Sequence, residues 1–207
     1  GNGPKPAPGP HVIVLDPGHG GPDSGARSAA GGLEKDFTLD WAVRLRALLE
    51  SAGWKVFLTR TNDVQISLTD RVTFADAHRA DLFLSLHFNG ATEPQHSGIE
   101  TYCITPTGMP SNLTRGYEDN AALAFPNNQF DAQNLQLGLN LHRALLAATG
   151  ANDRGVRRAR FLAVLRGQSR PAVLLEGGYL SNPDEAARIA STEHRQKLAE
   201  AVAKALQ

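Results

Sequence analysis

Short apolar segments alternate with amphipathic helical segments along most of the chain, and this alternation restricts its fold more than any other feature. Residues 11–15, HVIVL, and 81–88, DLFLSLHF, are apolar at nearly every position, which is typical of strands buried on both faces of a parallel sheet. Residues 33–52 instead place apolar side chains three or four positions apart, as one face of a helix requires. The pattern predicts an α/β fold: a single domain with a twisted, mostly parallel sheet of about six strands, flanked by helices on both faces.

The same criteria assign the other elements. The predicted strands are residues 11–15, 54–59, 81–88, 98–105, about 159–165 and 171–176. The predicted helices are residues 33–52, 67 to about 79, about 132–149, a helix that starts at 181–183, and about 193–206. Ser67 and Asp70 resemble a capping box at the start of the second helix, and Gly53 is expected to end the first. Residues 106–131 are rich in Pro and Gly and are predicted to be irregular.

The first ten residues, GNGPKPAPGP, differ in composition from the rest of the chain. They are mostly Gly and Pro and lack an apolar region, so we interpret residues 1–10 as a flexible linker or an expression remnant. Residues 11–207 are expected to form one globular domain, because a chain that is 41% hydrophobic and 20% charged suits a single core. No run of about 18 apolar residues occurs, so no membrane span is predicted, and no signal peptide is visible.

The charge balance and the cysteine content exclude several kinds of site. Lys and Arg together number 21, as do Asp and Glu, and a nucleic-acid partner is not expected because phosphate binding needs an excess of basic residues. Cys103 is the only cysteine, which excludes an intramolecular disulfide and any metal site built from several thiolates. A metal ion would therefore have to be held by His, Asp or Glu.

Four residues that suit metal chemistry fall at one predicted edge of the sheet. His19 follows the first strand, His87 closes the third and Glu176 closes the last, while Glu34 begins a helix that borders the same edge. Zinc accepts imidazole nitrogen and carboxylate oxygen, and a catalytic zinc site uses three protein ligands and a water. A further carboxylate must transfer the proton of that water. Two histidines and two glutamates supply these parts.

Each of the four residues also has a structural interpretation. A histidine at a strand end commonly has a structural or surface role, and a glutamate at a helix start commonly interacts with the helix dipole. Glu176 follows the apolar run AVLL, so it needs a cation or a donor nearby, and a salt bridge to an arginine would serve. The structural interpretation is favoured for the remaining histidines, which are His11, His78, His96, His142 and His194.

Six segments, in one order, resemble those of a known family. They are VIVLDPGHGGPDSGA (12–26), LEKDFTLDWAVRLRALLESAGWKVFLTR (33–60), LTDRVTFADAHRADLFLSLHFNG (68–90), SGIETY (97–102), DRGVRRARFLAVLR (153–166) and PAVLLEGGYLSNPDEA (171–186). They cover nearly all of residues 12–206, and together they are highly specific. The chain resembles the zinc-dependent N-acetylmuramoyl-L-alanine amidases of the cell-separation and sporulation type, the amidase 3 family.

The resemblance implies a role for each of the four residues. His19 of DPGHGG, Glu34 of LEKD and His87 of SLHFN match the three ligands of a Zn²⁺ cofactor. Glu176 of LLEGGYLSN matches the catalytic glutamate, which acts as general base and acid. The implied reaction is hydrolysis of the amide bond between N-acetylmuramic acid and L-alanine of the stem peptide, in bacterial peptidoglycan outside the cytoplasm. We expect a monomer.

One segment departs from the family pattern. Residues 106–131 are longer than the short connection that many members have, and some relatives carry here a helical insertion that blocks the zinc site until an activator protein binds. The segment in this chain is short and rich in Pro, Gly and Asn, which favours a loop at the substrate groove over a plug. Glu118 is its only glutamate, and a ligand from this loop to the zinc is the alternative.

Other assignments remain open at the level of sequence. Asn89 and Arg157 are candidate substrate-binding residues: Asn89 lies near a predicted ligand, where it either orients substrate or caps the strand. Arg154 and Arg157 either meet a peptide carboxylate or pair with Asp153 and other acids on the surface, and surface pairing is favoured. Two other functions compete with the amidase, a zinc carboxypeptidase or endopeptidase that cuts within the stem peptide and a catalytically inactive wall-binding module.

Overall fold

A computed structural model of the protein describes residues 11–116 and 118–207, and its strands form one mixed sheet. The strands are β1 (Val12–Pro17), β2 (Lys55–Leu58), β3 (Leu82–Asn89), β4 (Ile99–Cys103), β5 (Asp153–Arg158) and β6 (Ala172–Tyr179). Their order in the sheet is β2-β1-β3-β6-β4-β5. Neighbouring strands are parallel except for β4 and β6, which are antiparallel. The predicted α/β fold with a mostly parallel six-stranded sheet is confirmed.

Helices occupy both faces of this sheet. They are α1 (Glu34–Ser51), α2 (Leu68–Ala77), α3 (Asp131–Thr149), α4 (Ala163–Arg166), α5 (Pro183–Ala190) and α6 (Thr192–Ala205), with a short 3-10 helix at Pro126–Phe130. The predicted caps are confirmed. The Asp70 backbone N–H donates to the Ser67 hydroxyl at the start of α2 (3.1 Å), and Gly53 follows the end of α1 with a φ of 91°.

The two faces of the sheet are covered to different extents. On one face, Ile13 and Leu84 belong to a large core shared with Trp41, Leu141 and Leu198, which come from α1, α3 and α6. The core on the other face is smaller. It is formed by strand residues Val14, Phe83, Tyr102 and Leu174 and by Ala75, Val164 and Leu165 of α2 and α4.

On the face of the sheet with the smaller core, the apolar side chains are followed by polar ones towards the ends of the strands. Because side chains alternate along a strand, Asp16, His87 and Glu176 lie on the same face as Val14 and Leu174. The thinly covered face of the sheet therefore carries the candidate functional residues at its edge.

One predicted strand is wrong. Residues 159–165, ARFLAVL, form no strand: they include the start of α4, and their apolar side chains Ala159, Val164 and Leu165 fill the smaller core. The strand is instead DRGVRR, β5, immediately before them. It is polar because it lies at the edge of the sheet, where one side of its backbone has no neighbouring strand to bury it.

Two further expectations concern the ends and the membrane. The predicted linker, residues 1–10, lies outside the described residues. Within residues 11–116 and 118–207, no helix is long and apolar enough to cross a bilayer.

His194 on the first turn of α6 predicts a pH dependence of stability. Burial and the positive charges of Arg188, Lys197 and Arg195 lower its pKa to about 4, below the usual value near 6.5. Between these two pH values the unfolded chain binds a proton that the folded chain does not, so His194 lowers stability as the pH falls from 6.5 towards 4. In urea unfolding of metal-free protein at pH 7 and pH 4.5, His194→Gln should lose less stability on acidification than wild type. The exposed His11→Gln serves as control, and equal losses in all three proteins would contradict the assignment.

Candidate metal centre and active site

The His19–Glu34–His87 cluster is built from three separate elements. His19 lies in the loop after β1, Glu34 is the first residue of α1, and His87 lies near the end of β3. His19 Nε2 lies 3.1 Å from Glu34 Oε2, and His87 Nδ1 lies 2.9 Å from Glu34 Oε1. One potential ligand atom from each residue falls within 4.8 Å of the others. Among the described residues, this is the one group of His, Cys, Asp or Glu that converges in this way.

Glycines allow the three side chains to approach each other. A Cβ atom at Gly18 would overlap the His87 ring, and one at Gly25 would overlap the Glu34 carboxylate and lie 2.6 Å from His19 Cδ2. His19 itself has a φ of 62°, a left-handed conformation that is rare for a residue with a side chain. The DPGHGG segment is therefore shaped around the cluster, at some cost in backbone strain.

The Glu34 carboxylate is buried, with 3% of its surface exposed, and has four neighbours that stabilise its charge. Besides the two imidazoles, it accepts hydrogen bonds from the backbone N–H groups of Ala26 (2.7 Å) and Phe88 (3.0 Å). Burial alone would raise the pKa of Glu34, but the hydrogen bonds and charges of His19 and His87 outweigh this and lower the pKa to about 2. Glu34 is therefore ionised, and a buried negative charge of this kind favours the binding of a cation.

Asp23 orients the His19 ring. His19 Nδ1 lies 2.9 Å from Asp23 Oδ2, which leaves Nε2 directed at the cluster. Burial alone would lower the pKa of His19, but its hydrogen bonds and charge interactions with Glu34 and Asp23 outweigh this and raise it. Sequence reasoning missed Asp23, although an acid four residues after a histidine in a Gly-rich loop is a signal that could have found it.

Two arginines and a buried aspartate fix the backbone of the loop that carries His19. Arg71 forms an ion pair with Asp16 (2.6 Å) and donates to the carbonyls of Pro17 (2.9 Å) and His19 (2.9 Å). Arg60 donates to the carbonyls of Pro17 (3.1 Å) and Gly18 (2.9 Å). The backbone carbonyls of Pro17, Gly18 and His19 therefore all accept hydrogen bonds from arginine side chains.

Glu176 lies on the strand next to His87 and directly opposite it in the parallel register of β3 and β6. It is 7% exposed, and its Oε2 atom is buried with no hydrogen-bond partner among the described residues. Burial, then the negative charge of Glu34, raises its pKa well above the usual range, and Arg115 opposes the rise. No arginine of the described residues forms a salt bridge with it, so the structural interpretation of Glu176 has no support.

Glu100 on β4 extends the polar row across the sheet. It lies opposite Glu176 in the antiparallel register of β4 and β6. Its Oε2 atom accepts from Asn89 Nδ2 (3.0 Å) and from the hydroxyls of Tyr102 (3.2 Å) and Tyr179 (3.0 Å). Sequence reasoning missed Glu100, although it interrupts an apolar strand just as Glu176 does.

The basic residues of β5 differ from the favoured expectation. Arg154 and Arg157 do not pair with Asp153 but lie beside Glu100, their Nε atoms 3.6 Å and 3.5 Å from its Oε1 atom. Asp153 pairs instead with His142 (2.8 Å). The predicted pairing with Asp153 is therefore wrong: the two arginines do lie beside an acid, but it is the buried Glu100, which the parallel pairing of β4 and β5 brings close to them.

The loop at residues 106–131 is held to the domain by the fully buried side chain of Arg160. This side chain pairs with Asp119 (2.5 Å) and donates to the carbonyls of Pro106 (2.8 Å) and Met109 (2.6 Å). Glu118 is exposed and does not belong to the His19–Glu34–His87 cluster.

The chain is similar to known proteins in both sequence and structure. The sequence profile of the family described as N-acetylmuramoyl-L-alanine amidase matches residues 13–207. The amidase AmiA of Salmonella typhimurium is 33% identical over 213 residues, which cover 93% of this chain and 73% of that protein. The amidase AmiC2 of Nostoc punctiforme has a similar structure, with a TM-score of 0.78 and 32% identity over 95% of this chain and 94% of that one. The CwlD amidase of Clostridioides difficile, solved in complex with the GerS lipoprotein, has a TM-score of 0.79 at 25% identity over 95% of this chain and 96% of that one.

The ion pair beneath the His19 loop predicts a large effect on stability. Arg71→Met leaves the Asp16 carboxylate, 1% exposed, without its cation, and we expect a loss of about 3–5 kcal/mol in the free energy of unfolding. Urea denaturation of the metal-free protein measures it. Arg143→Met, at an exposed position of α3, is the matched control and should change stability by less than about 0.5 kcal/mol. Equal stabilities of the two variants would contradict the role of the pair.

Proposed function

The chain belongs to the N-acetylmuramoyl-L-alanine amidase family and is a peptidoglycan hydrolase of that class, and we propose that it works with a zinc ion at His19, Glu34 and His87 and with Glu176 as general base and acid. The bond cleaved joins N-acetylmuramic acid to the L-alanine of the stem peptide. The observation that carries the mechanism is the buried Glu176 Oε2 atom, which has no hydrogen-bond partner among the described residues and lies on the strand beside the His19–Glu34–His87 cluster.

The donor set fits zinc. Two imidazole nitrogens and a carboxylate oxygen make up a common ligand set of catalytic zinc sites, which keep one position open. The three residues already converge within 4.8 Å, and Asp23 holds the far nitrogen of His19, as an acid or a carbonyl does for most histidine ligands of metals. When bound, zinc would act as a Lewis acid on the scissile carbonyl and on the attacking water.

Glu176 moves the proton. In the proposed reaction its carboxylate takes a proton from the water as the water oxygen bonds to the carbonyl carbon, and it gives that proton to the alanine nitrogen as the C–N bond breaks. Burial tunes the pKa of Glu176 upward, towards the range where one group can both accept and release a proton near neutral pH. A bound cation would offset the part of the rise that comes from the charge of Glu34 and leave the part that comes from burial.

Asn89 and Arg157 are proposed substrate-binding residues. Asn89 donates to Glu100 (3.0 Å) and accepts from the backbone N–H of Gly90 (2.9 Å), so its amide is fixed at the end of β3 next to the active site. The side chain of Arg157 is 39% exposed and lies beside Glu100. We assign the loop at residues 106–131 to the wall of the proposed substrate groove, because Arg160 anchors the loop and Glu118 does not belong to the His19–Glu34–His87 cluster.

The setting of the enzyme follows from its substrate. We propose that residues 11–207 are the catalytic domain of a bacterial protein that acts outside the cytoplasm, in the periplasm or the cell wall, as cell separation requires. The complex of CwlD with a lipoprotein supports the proposal that an activator protein binds this domain. A monomer is sufficient, because the described chain contributes every proposed catalytic group.

Glu176→Gln tests the catalytic role with little change in volume. The variant keeps the metal site but cannot transfer the proton, so release of stem peptides from purified peptidoglycan should fall about 100- to 10,000-fold while zinc content stays at one per chain. Product release is measured by chromatography, and zinc by elemental analysis. Wild-type activity in this variant would remove Glu176 from the mechanism.

Removing the proposed ligands should release the metal. A His19→Ala/His87→Ala double variant should lose stoichiometric zinc, whereas His96→Ala, a histidine outside the cluster, should keep it. Elemental analysis after gel filtration measures the difference. Retention of one zinc per chain by the double variant would show that other residues bind it.

The competing function within zinc enzymes makes different products. An amidase frees glycan strands from whole stem peptides, whereas a carboxypeptidase or endopeptidase shortens the peptides and leaves them attached. Mass spectrometry of digested peptidoglycan should find glycan without peptide together with intact stem peptides beginning in L-alanine. Shortened peptides on the glycan would favour the competing function, and wall binding without any product would favour a wall-binding module.

A further inference from the structure

Three arginines lie near the buried Glu100 or near the Tyr102 ring beside it, and we call them the arginine cluster: Arg115, Arg154 and Arg157. Arg154 and Arg157 come from β5, and their Nε atoms lie 3.6 Å and 3.5 Å from Glu100 Oε1. Arg115 comes from the 106–131 loop. Its guanidinium lies 5.9 Å from the centre of the Tyr102 ring, and the hydroxyl of Tyr102 donates to Glu100 Oε2 (3.2 Å). The cluster thus joins the groove loop to the edge of the sheet.

The arginine cluster carries more positive charge than its surroundings neutralise. Glu100 is the one acid within ion-pair distance of Arg154 and Arg157 among the described residues, and no described acid forms an ion pair with Arg115. Arg154 Nε is buried and has no hydrogen-bond partner there, and Arg157 Nε donates to the carbonyl of Arg154 (2.9 Å) instead of to a carboxylate. Glu100 lies at ion-pair distance from two of the three guanidinium groups and forms a hydrogen bond with neither Nε atom, so the cluster has an excess of cationic donors.

Aromatic rings hold these guanidinium groups in place without neutralising them. Arg154 lies over the Tyr179 ring, 5.1 Å from its centre, and Arg115 lies between the rings of Tyr102 and Phe161, the latter 5.5 Å away. Stacking on an aromatic face orients a guanidinium and leaves its edge free to donate. The donors are therefore positioned in advance for an anion that the described chain does not supply.

The sheet register places the arginine cluster next to the reacting groups. His87, Glu176 and Glu100 are direct neighbours across β3, β6 and β4. Tyr102, two residues after Glu100 and hence on the same face, is the neighbour of Arg157 on β5. A peptide that leaves the cleavage site in this direction passes Glu100 and then reaches the arginines.

We propose that the arginine cluster is a subsite for a free carboxylate of the stem peptide, that of the residue that follows the L-alanine. The proposal rests on the proposed function. In peptidoglycan that residue is a glutamate linked through its side chain, so its α-carboxyl group is either free or converted to an amide. A guanidinium binds a carboxylate through two parallel charge-assisted hydrogen bonds, which a neutral amide cannot match. The cluster therefore selects stem peptides that are not amidated at this position.

Two muropeptides that differ by this one group test the subsite. They are N-acetylmuramoyl-L-alanyl-D-glutamate, with its free α-carboxyl, and N-acetylmuramoyl-L-alanyl-D-isoglutamine, with an amide there. The zinc-loaded wild type should cleave the first with a kcat/KM about 10- to 100-fold higher, the range for one charge-assisted interaction. Arg115→Gln and Arg157→Gln should each reduce this preference, the ratio of the two kcat/KM values of one variant, about tenfold.

The controls distinguish a failure of the subsite from a folding defect and from a failure of the proposed function. Arg143→Gln, at an exposed position of α3, should keep the full preference, and zinc content should be equal in all variants. Equal cleavage of both substrates by wild type, or an unchanged preference in both cluster variants, would overturn the subsite while the amidase function stands. If neither substrate is cleaved, the proposed function fails, and calorimetry with free L-alanyl-D-glutamate and L-alanyl-D-isoglutamine decides the subsite: equal affinities would reject it.

Discussion

The Glu34 carboxylate is the interaction on which the rest of the site depends. It links α1 to two other parts of the chain, because its two oxygens meet His19 and Ala26 in the loop after β1, and His87 and Phe88 in β3. A buried carboxylate without donors is unfavourable by several kcal/mol, so these partners are a requirement for folding at this point as well as a route to function. In the proposed function, a metal ion would take the place of the proton that one of the imidazoles would otherwise share with Glu34.

The sheet determines where the site that contains this carboxylate lies. Its larger core, under α1, α3 and α6, gives rigidity, while the face with the smaller core leaves room at the strand ends. His87, Glu176 and Glu100 stand in one row across three strands of that face, so their spacing is that of neighbouring strands and does not depend on loop conformation. The two loops of the site, the His19 loop and the 106–131 loop, are each held by a buried arginine, Arg71 for the first and Arg160 for the second.

Local patterns in the sequence predicted the features that depend on local interactions, namely strands and helix caps. Apolar runs located five of the six strands, and the caps at Ser67 and Gly53 followed from residue type. The meeting of His19, Glu34 and His87 was predictable because parallel strands end at a common edge. Contacts between polar residues far apart in the sequence were not predictable in this way. Sequence favours pairing of Arg154 and Arg157 with Asp153 and other acids on the surface, but they lie beside the buried Glu100, which the pairing of β4 and β5 brings close to them. The polar edge strand β5 was missed because periodicity detects burial, and this strand is only partly buried.

A crystal structure of the zinc-loaded protein, with anomalous diffraction recorded on both sides of the zinc absorption edge, tests the central claim most directly. The account predicts one anomalous peak bonded to His19 Nε2, a Glu34 oxygen and His87 Nδ1, with Glu176 beside it and not bonded to it. A zinc ion held elsewhere, or one that takes Glu176 or Glu118 as a ligand in place of Glu34, would contradict the account.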